Sequence, residues 1–191
     1  LSQDYPHAVN LPPQSPCGPV FWSKLPITDA KVGVDPPYLR ISVESEGKSI
    51  SIYNVPSAPP ISPSSLERRN ALLSLLSQEI QPQASSTILL GDLNGDPHDG
   101  DGSQGIAALL ASPRVLQYPP PKSPGAAEQS RLQAGANLRH RGDPSHDTCD
   151  PADDPGPGNL RIDYVLPSAD LKVAASGVFW PAAGDPLFPL V

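Results

Sequence analysis

The densest group of chemistry-bearing side chains in this sequence is Gly91-Asp92-Leu93-Asn94-Gly95-Asp96. It follows Thr87–Leu90 (TILL), a continuous apolar run of strand length that reads as buried on both faces. Asp92 and Asn94, two residues apart, therefore project from one face of a strand tip. A carboxylate and an amide placed this way can coordinate a hard divalent ion and orient a phosphate or an attacking water. The glycines on either side permit close approach of a ligand. The same residue types also build an ordinary Asx turn, so the segment has a purely conformational alternative. A second carboxylate, Asp163, interrupts the apolar stretch Arg161-Ile162-Asp163-Tyr164-Val165. Burying it would require a cation, a metal or a hydrogen-bond donor; otherwise it faces solvent.

Three further groups carry weaker signals. Asp96, His98, Asp99 and Asp101 form an acidic run after the strand tip. No Glu stands at the twelfth position of an EF-hand loop, so a solvated loop start is the simpler reading. His140, His146, Asp147, Cys149 and Asp150 are ligand-type residues whose spacing matches no zinc signature. Arg141-Gly142-Asp143 is a three-residue adhesion-type match of the kind that arises by chance.

The elements that must position these groups are legible in part. Residues 1–18 read as Pro-rich loop, and Pro19–Ser23 as a short strand stopped by Lys24-Leu25-Pro26. Tyr38–Glu44 and Ser49–Val55 alternate apolar and polar residues with period two around the turn Glu46-Gly47-Lys48, which predicts a hairpin of half-buried strands. Ser64-Ser65 can cap a helix over Leu66–Ile80 with Leu66, Leu72, Leu73, Leu75, Leu76 and Ile80 on its apolar face. Gln104–Ala111 reads as a second helix. Residues 112–159 lack periodicity and read as one long loop, and a loop of that length is functional or mobile. Leu160–Leu166 and Leu171–Val178 return to strand, with Trp22 and Trp180 as packing residues beside strand ends. This order predicts an α/β (α+β) layered sandwich, a mainly antiparallel sheet with helices outside it, in one domain over residues 1–191.

Composition limits the function classes. The 20 acidic and 13 basic residues give a formal charge of −7, which argues against a broad basic surface for nucleic acid while leaving a local patch or a bridging cation open. No run approaches the ~20 apolar residues of a membrane span. With 27 Pro and 15 Gly among 191 residues, the chain sits just below the disordered range, so long irregular loops on a folded frame are expected. Met is absent, so Leu1 is expected to be a processed or trimmed beginning. Cys17 and Cys149 form either one long-range disulfide or two unrelated thiols.

Taken together, GDLNGDP after an apolar strand and NLRIDYVLPS near the C-terminal end resemble the endonuclease/exonuclease/phosphatase superfamily, the deoxyribonuclease-I-like fold. GDPHDGDG, GANLRHRGDPSHDTCD, GVFWP and DPLF are similar to a secreted bacterial branch of it, and the resemblance covers the chain from about Cys17 onward. It implies metal-assisted hydrolysis of a phosphoester, with Mg²⁺ (or Ca²⁺ or Mn²⁺) as the ion and a phosphoester small molecule or nucleic acid as substrate. It also implies an extracellular or cell-surface location. Asp92 and Asn94 match the pair that holds metal and positions the attacking water. Asp163 matches the carboxylate that orients a histidine near the family's C-terminus.

The sequence departs from that pattern in three places. The family's early Asn and Glu strands and its final Ser-Asp-His strand have no counterpart, so the expected domain is incomplete at both ends, with a missing segment or a second chain completing the sheet. Where the strand Ser49–Val55 should lead to a phosphate-contacting His, Pro56 stands, and proline can neither shuttle a proton nor donate to phosphate. His140 or Asp147 is the expected substitute for that substrate contact. A catalytically degenerate binding or assembly module is the alternative function.

Overall fold

The computed structural model describes residues 3–10, 20–34, 37–81, 85–100, 102–151 and 155–190. Its frame is a five-stranded sheet in the order β3 (Ile27–Val34), β4 (Pro37–Ser45), β5 (Lys48–Asn54), β6 (Ser86–Asp92), β7 (Asp163–Pro167). Every neighbouring pair is antiparallel except β5 and β6, which run parallel and are joined by the crossover helix α1 (Pro63–Ile80). A separate two-stranded ribbon, β1 (His7–Asn10) with β2 (Val20–Ser23), lies against part of one face. The layered, mainly antiparallel sandwich with outer helices is thus the architecture present.

The predicted hairpin is β4–β5. Its loop is the two residues Glu46-Gly47, both at positive φ (51° and 73°), the combination a type I′ turn demands and one that matches strand twist. Alternation along β4 sends Leu39, Ile41 and Val43 to one face, where Val9, Phe21, Ile27, Ile50 and Ile52 meet them. Tyr38 points to the other face, joining Tyr53, Leu89, Tyr164 and Leu166 beneath Leu72, Leu73 and Leu76 of α1 and Ile106 and Leu109 of α2 (Ser103–Leu110). The helix α1 starts three residues earlier than its predicted Leu66. Ser62 caps it, accepting from the Ser65 N–H in a capping box, and Pro63 occupies the first turn, where its missing N–H is harmless.

Several expectations are corrected. Residues 7–10 form strand β1 rather than loop. The segment after Lys24-Leu25-Pro26 forms β3, an edge strand whose exposed Asp29 and Lys31 masked its alternation; such charges protect an unpaired edge. The span 112–159 is not one loop. Helix α3 (Pro124–Gln133) sits in it, capped by the Ser123 side chain with Pro124 in its first turn, and short 3-10 turns follow at Gly135–Arg139 and Pro144–His146. The strand β7 begins at Asp163, because Leu160 is engaged in an isolated bridge to Cys149. Leu171–Val178 is irregular rather than strand: the β-prone sequence finds no ladder partner. Trp180 is buried, packing where the α3 amino end touches the chain, whereas Trp22 is more than a third exposed. Cys17 and Asp101 lie outside the described residues, and Cys149 is half-buried.

Candidate functional site

The site is assembled at the end of the β6–β7 ladder. The strand β6 is pinned on its other side by the continuation of β5: the Val55 N–H donates to Leu90 O at 2.9 Å and the Ser57 N–H to Asp92 O at 3.0 Å. Pro56, which has no N–H to offer, falls between these two rungs. The backbones approach so closely that a Cβ on Gly91 (φ 138°) would lie 2.2 Å from Val55 O, so glycine is required there. Beyond the tip, Asn94 adopts φ 47°. Its backbone N–H donates to Asp92 Oδ1 at 2.8 Å. Its Nδ2 donates to Asp92 Oδ2 at 3.0 Å and to Ser57 O at 2.8 Å. The Asx-turn geometry and the carboxylate–amide pair are therefore the same object, not alternatives.

Register brings the second carboxylate in. Asp92 and Asp163 are directly opposite one another across β6 and β7, a relation that sets Cβ atoms about 4.5–5.5 Å apart. Asp163 is exposed and Asp92 half-buried. Burial raises the Asp92 carboxyl above its ordinary range; hydrogen bonds from Asn94 oppose that rise and the charge on Asp163 adds to it. Like charges placed face to face are destabilising unless something positive is shared between them.

The loop after the tip is clamped from two sides. Arg69, fully buried on α1, donates to Asn94 O through Nη1 and to Gly102 O at 2.7 Å through Nη2. Buried Tyr164 directs its hydroxyl at Gly95 O and Arg161 O, 2.8 and 2.9 Å away, and burial pushes that phenol strongly upward. Asp96 is buried, not solvated: Oδ1 accepts from the His98 and Asp99 N–H groups, and Oδ2 accepts from the Arg161 N–H at 2.9 Å. Asp99 in turn accepts from the N–H groups of Arg141 and Gly142, and Asp143 caps the turn at Pro144–His146, so the Arg-Gly-Asp tripeptide is internal scaffolding.

A cavity of about 850 Å³ opens on this side of the sheet. Asp92, Asp163, Thr148, His146 and Arg161 line it together with an apolar wall that includes Leu90, Val165, Tyr118 and Phe179. Arg161 holds its guanidinium 4.4 Å from the centre of the Tyr164 ring. Burial lowers the His146 imidazole below its ordinary value, and its Nε2 has no hydrogen-bond partner. His140 and Asp147 are not among the lining residues. His140 donates from Nε2 to Pro157 O at 2.6 Å on the outside of the loop. Asp147 is buried, its Oδ2 without a partner, and burial with the charges of Asp96, Asp99 and Asp143 pushes its carboxyl up to about 7. In the sequence His146 is only one ligand-type residue among several. Thr148 carried no signal, because a lone threonine in a Pro/Gly-rich stretch has none until its neighbours are known.

The donor set suits a hard cation in kind. Two carboxylates and the amide oxygen of Asn94 are oxygen ligands, and the opposed charges of Asp92 and Asp163 call for a positive partner. Among the described residues no group of three or more His, Cys, Asp or Glu side chains forms a closed cage. The arrangement fits an ion that keeps water and substrate oxygens in its shell, as Mg²⁺ does.

Comparison with known proteins adds the lineage. The sequence model described as the Endonuclease/Exonuclease/phosphatase family matches residues 2–185. No curated protein sequence matches the chain. Among solved structures it is similar to an endonuclease/exonuclease/phosphatase from Beutenbergia cavernae DSM 12333, with 17% identity and a TM-score of 0.63 over 91% of this chain and 49% of that one. It is similar to sphingomyelinase C from Streptomyces griseocarneus, with 18% identity and a TM-score of 0.52 over 87% of this chain and 63% of that one. A mutant of beta toxin from Staphylococcus aureus with bound magnesium ions gives 14% identity and a TM-score of 0.52 over 90% of this chain and 65% of that one. The chain thus spans between half and two thirds of the length of these structures, and the likeness is one of fold.

Proposed function

This chain belongs to the Endonuclease/Exonuclease/phosphatase family, and from that premise we propose that it is a divalent-metal-dependent phosphoester hydrolase reacting at Asp92, Asn94 and Asp163. The observation that carries the reading is the direct opposition of the two carboxylates beside a cavity large enough for a small ligand. In this reading Asp92, Asn94 and Asp163 would hold a cation such as Mg²⁺, which supplies charge neutralisation for the phosphoryl oxygens and a more acidic bound water. Asn94 fixes Asp92 through its two hydrogen bonds, which favour the ionised carboxyl against its burial. Asp163 attracts and orients water on the solvent side. Arg161, in the cavity wall, offers a guanidinium to a phosphate oxygen. The substrate contact assigned to His140 and Asp147 passes to His146, which lines the cavity with its Nε2 without a hydrogen-bond partner. Substrates are phosphoester small molecules or nucleic acid, and the location is extracellular or at the cell surface. Among the described residues no helix is long and apolar enough to cross a membrane. A further strand segment or second chain covering Leu90 and Val165 belongs to the same proposal.

Hydrolysis of bis(4-nitrophenyl) phosphate tests it. Turnover should require Mg²⁺ or Mn²⁺, vanish with EDTA, and fall at least about a thousandfold in Asp92→Ala, a loss of roughly 4 kcal/mol of transition-state stabilisation. Undiminished turnover in that variant would remove the assignment. Pro56 specifically favours a second reading, a non-hydrolytic binding module, because it stands beside the Asp92 tip where a proton-carrying side chain would be useful. That reading requires no turnover of any phosphoester with any divalent ion.

A further inference from the structure

Asp163 opens β7, the edge strand of the sheet, with its carboxylate exposed. An exposed aspartate rotates among staggered χ1 wells, some of which turn the carboxylate away from the opposing strand. The structure supplies a restraint from the long segment between α3 and β7. Thr148 Oγ1 donates to Asp163 Oδ2 at 2.9 Å, and the same oxygen accepts from the backbone N–H groups of Ile162 at 3.1 Å and Asp163 at 3.0 Å. A hydroxyl has one hydrogen and two acceptor lone pairs. With both lone pairs met by the strand's own N–H groups, the hydrogen is left pointing at the carboxylate. The direction of the hydroxyl is therefore imposed by the backbone of the strand that carries Asp163.

Thr148 is itself held in place. Its N–H donates to Leu160 O at 3.0 Å, the Cys149 N–H donates to the same oxygen at 3.1 Å, and the Leu160 N–H returns a bond to Cys149 O at 3.0 Å. This isolated bridge, just ahead of the sheet, sets Thr148 beside the first residues of β7.

We propose that Thr148 is a positioning residue, whose hydroxyl fixes the Asp163 carboxylate in one orientation at the start of β7; the inference rests on the hydrolase reading above. It acts through Asp163, so its loss should lower turnover rather than weaken substrate capture. Thr148→Val removes the hydroxyl at nearly constant shape, and Thr148→Ser keeps it. With bis(4-nitrophenyl) phosphate and Mg²⁺, Thr148→Val should lower kcat about tenfold to a hundredfold while KM stays within about threefold, and Thr148→Ser should return kcat to within about threefold of the parent. A parental kcat in Thr148→Val, or a Ser variant as impaired as Val, overturns the proposal. A second measurement does not depend on turnover. Hα–Hβ couplings of Asp163 by NMR should report one dominant rotamer in the parent and in Thr148→Ser, and averaging in Thr148→Val. Identical couplings in all three overturn the proposal. If the couplings respond while the parent turns over no phosphoester, the hydrolase reading fails and the positioning of Asp163 stands. If Thr148→Val does not fold, Thr148→Ala takes its place in both measurements.

Discussion

The two faces of the five-stranded sheet are built to different standards. On one, α1 and α2 seal Tyr53, Val55, Leu72, Leu73, Leu76, Leu89, Ile106 and Leu109 almost completely from solvent. On the other, the β1–β2 ribbon packs on Leu39, Ile41 and Val43. The β6–β7 end of that face opens into the cavity, with Val165 70% and Phe179 61% exposed. The difference is one of task. The closed face supplies the apolar burial that pays for ordering the chain. The open end can therefore tolerate opposed carboxylates and exposed apolar groups, at a stability cost that the helix-covered layer offsets.

If that division holds, substitutions on the two faces should separate in what they damage. The largest stability effect is expected at Leu76, fully buried on the inner face of α1: Leu76→Ala should lower unfolding free energy by about 2–5 kcal/mol in urea denaturation, by lost transfer energy plus a cavity. A loss below 1 kcal/mol would mean the helix face is not the stabilising layer. An intermediate effect is expected from Asp147, buried within reach of the charges on Asp96, Asp99 and Asp143. Its folded-state carboxyl sits at about 7, above the unfolded value near 4, so the native state holds a proton that the unfolded chain has released. Its contribution is complete below about pH 4 and is lost as pH rises through about 7. Asp147→Asn should accordingly raise stability by about 1–3 kcal/mol at pH 8 and change it little at pH 4, read from urea midpoints at the two values. A parallel offset at both pH values would contradict the burial argument. The smallest effect sharpens the contrast most. Asp163→Asn relieves the repulsion with Asp92 and should stabilise the metal-free protein by about 0.2–1 kcal/mol while removing hydrolysis. Destabilisation there would show that Asp163 earns its place structurally.

Much of the frame was legible without coordinates, because its signals are local. The period-two runs around Glu46-Gly47 specify strands, turn type and facing in themselves, and the leucines of α1 recur at helical spacing. The failures are equally instructive. Helix α3 leaves no mark in the sequence because Gly125, Ala126 and Ala127 carry little periodic signal; it depends on the Ser123 cap and on packing so close that a Cβ on Gly125 would collide with Trp180 O. Charged residues hid β3 for the reason that makes it a safe edge. Leu171–Val178 has strand composition, and composition cannot supply the partner that a ladder needs.

The candidate site divides the same way. That Asp92 and Asn94 share a strand tip follows from chain connectivity, since alternation along an extended backbone puts residues two apart on one side. That Asp163 stands opposite Asp92, that Asp96 reaches back to Arg161, and that a threonine in the long intervening segment directs a hydroxyl at Asp163 are facts of register and loop path. A one-residue slip between β6 and β7 would send Asp163 to the helix-covered face. Such slips are resolved only by the summed packing of distant segments, which is why the residue types were readable from the chain and their meeting was not.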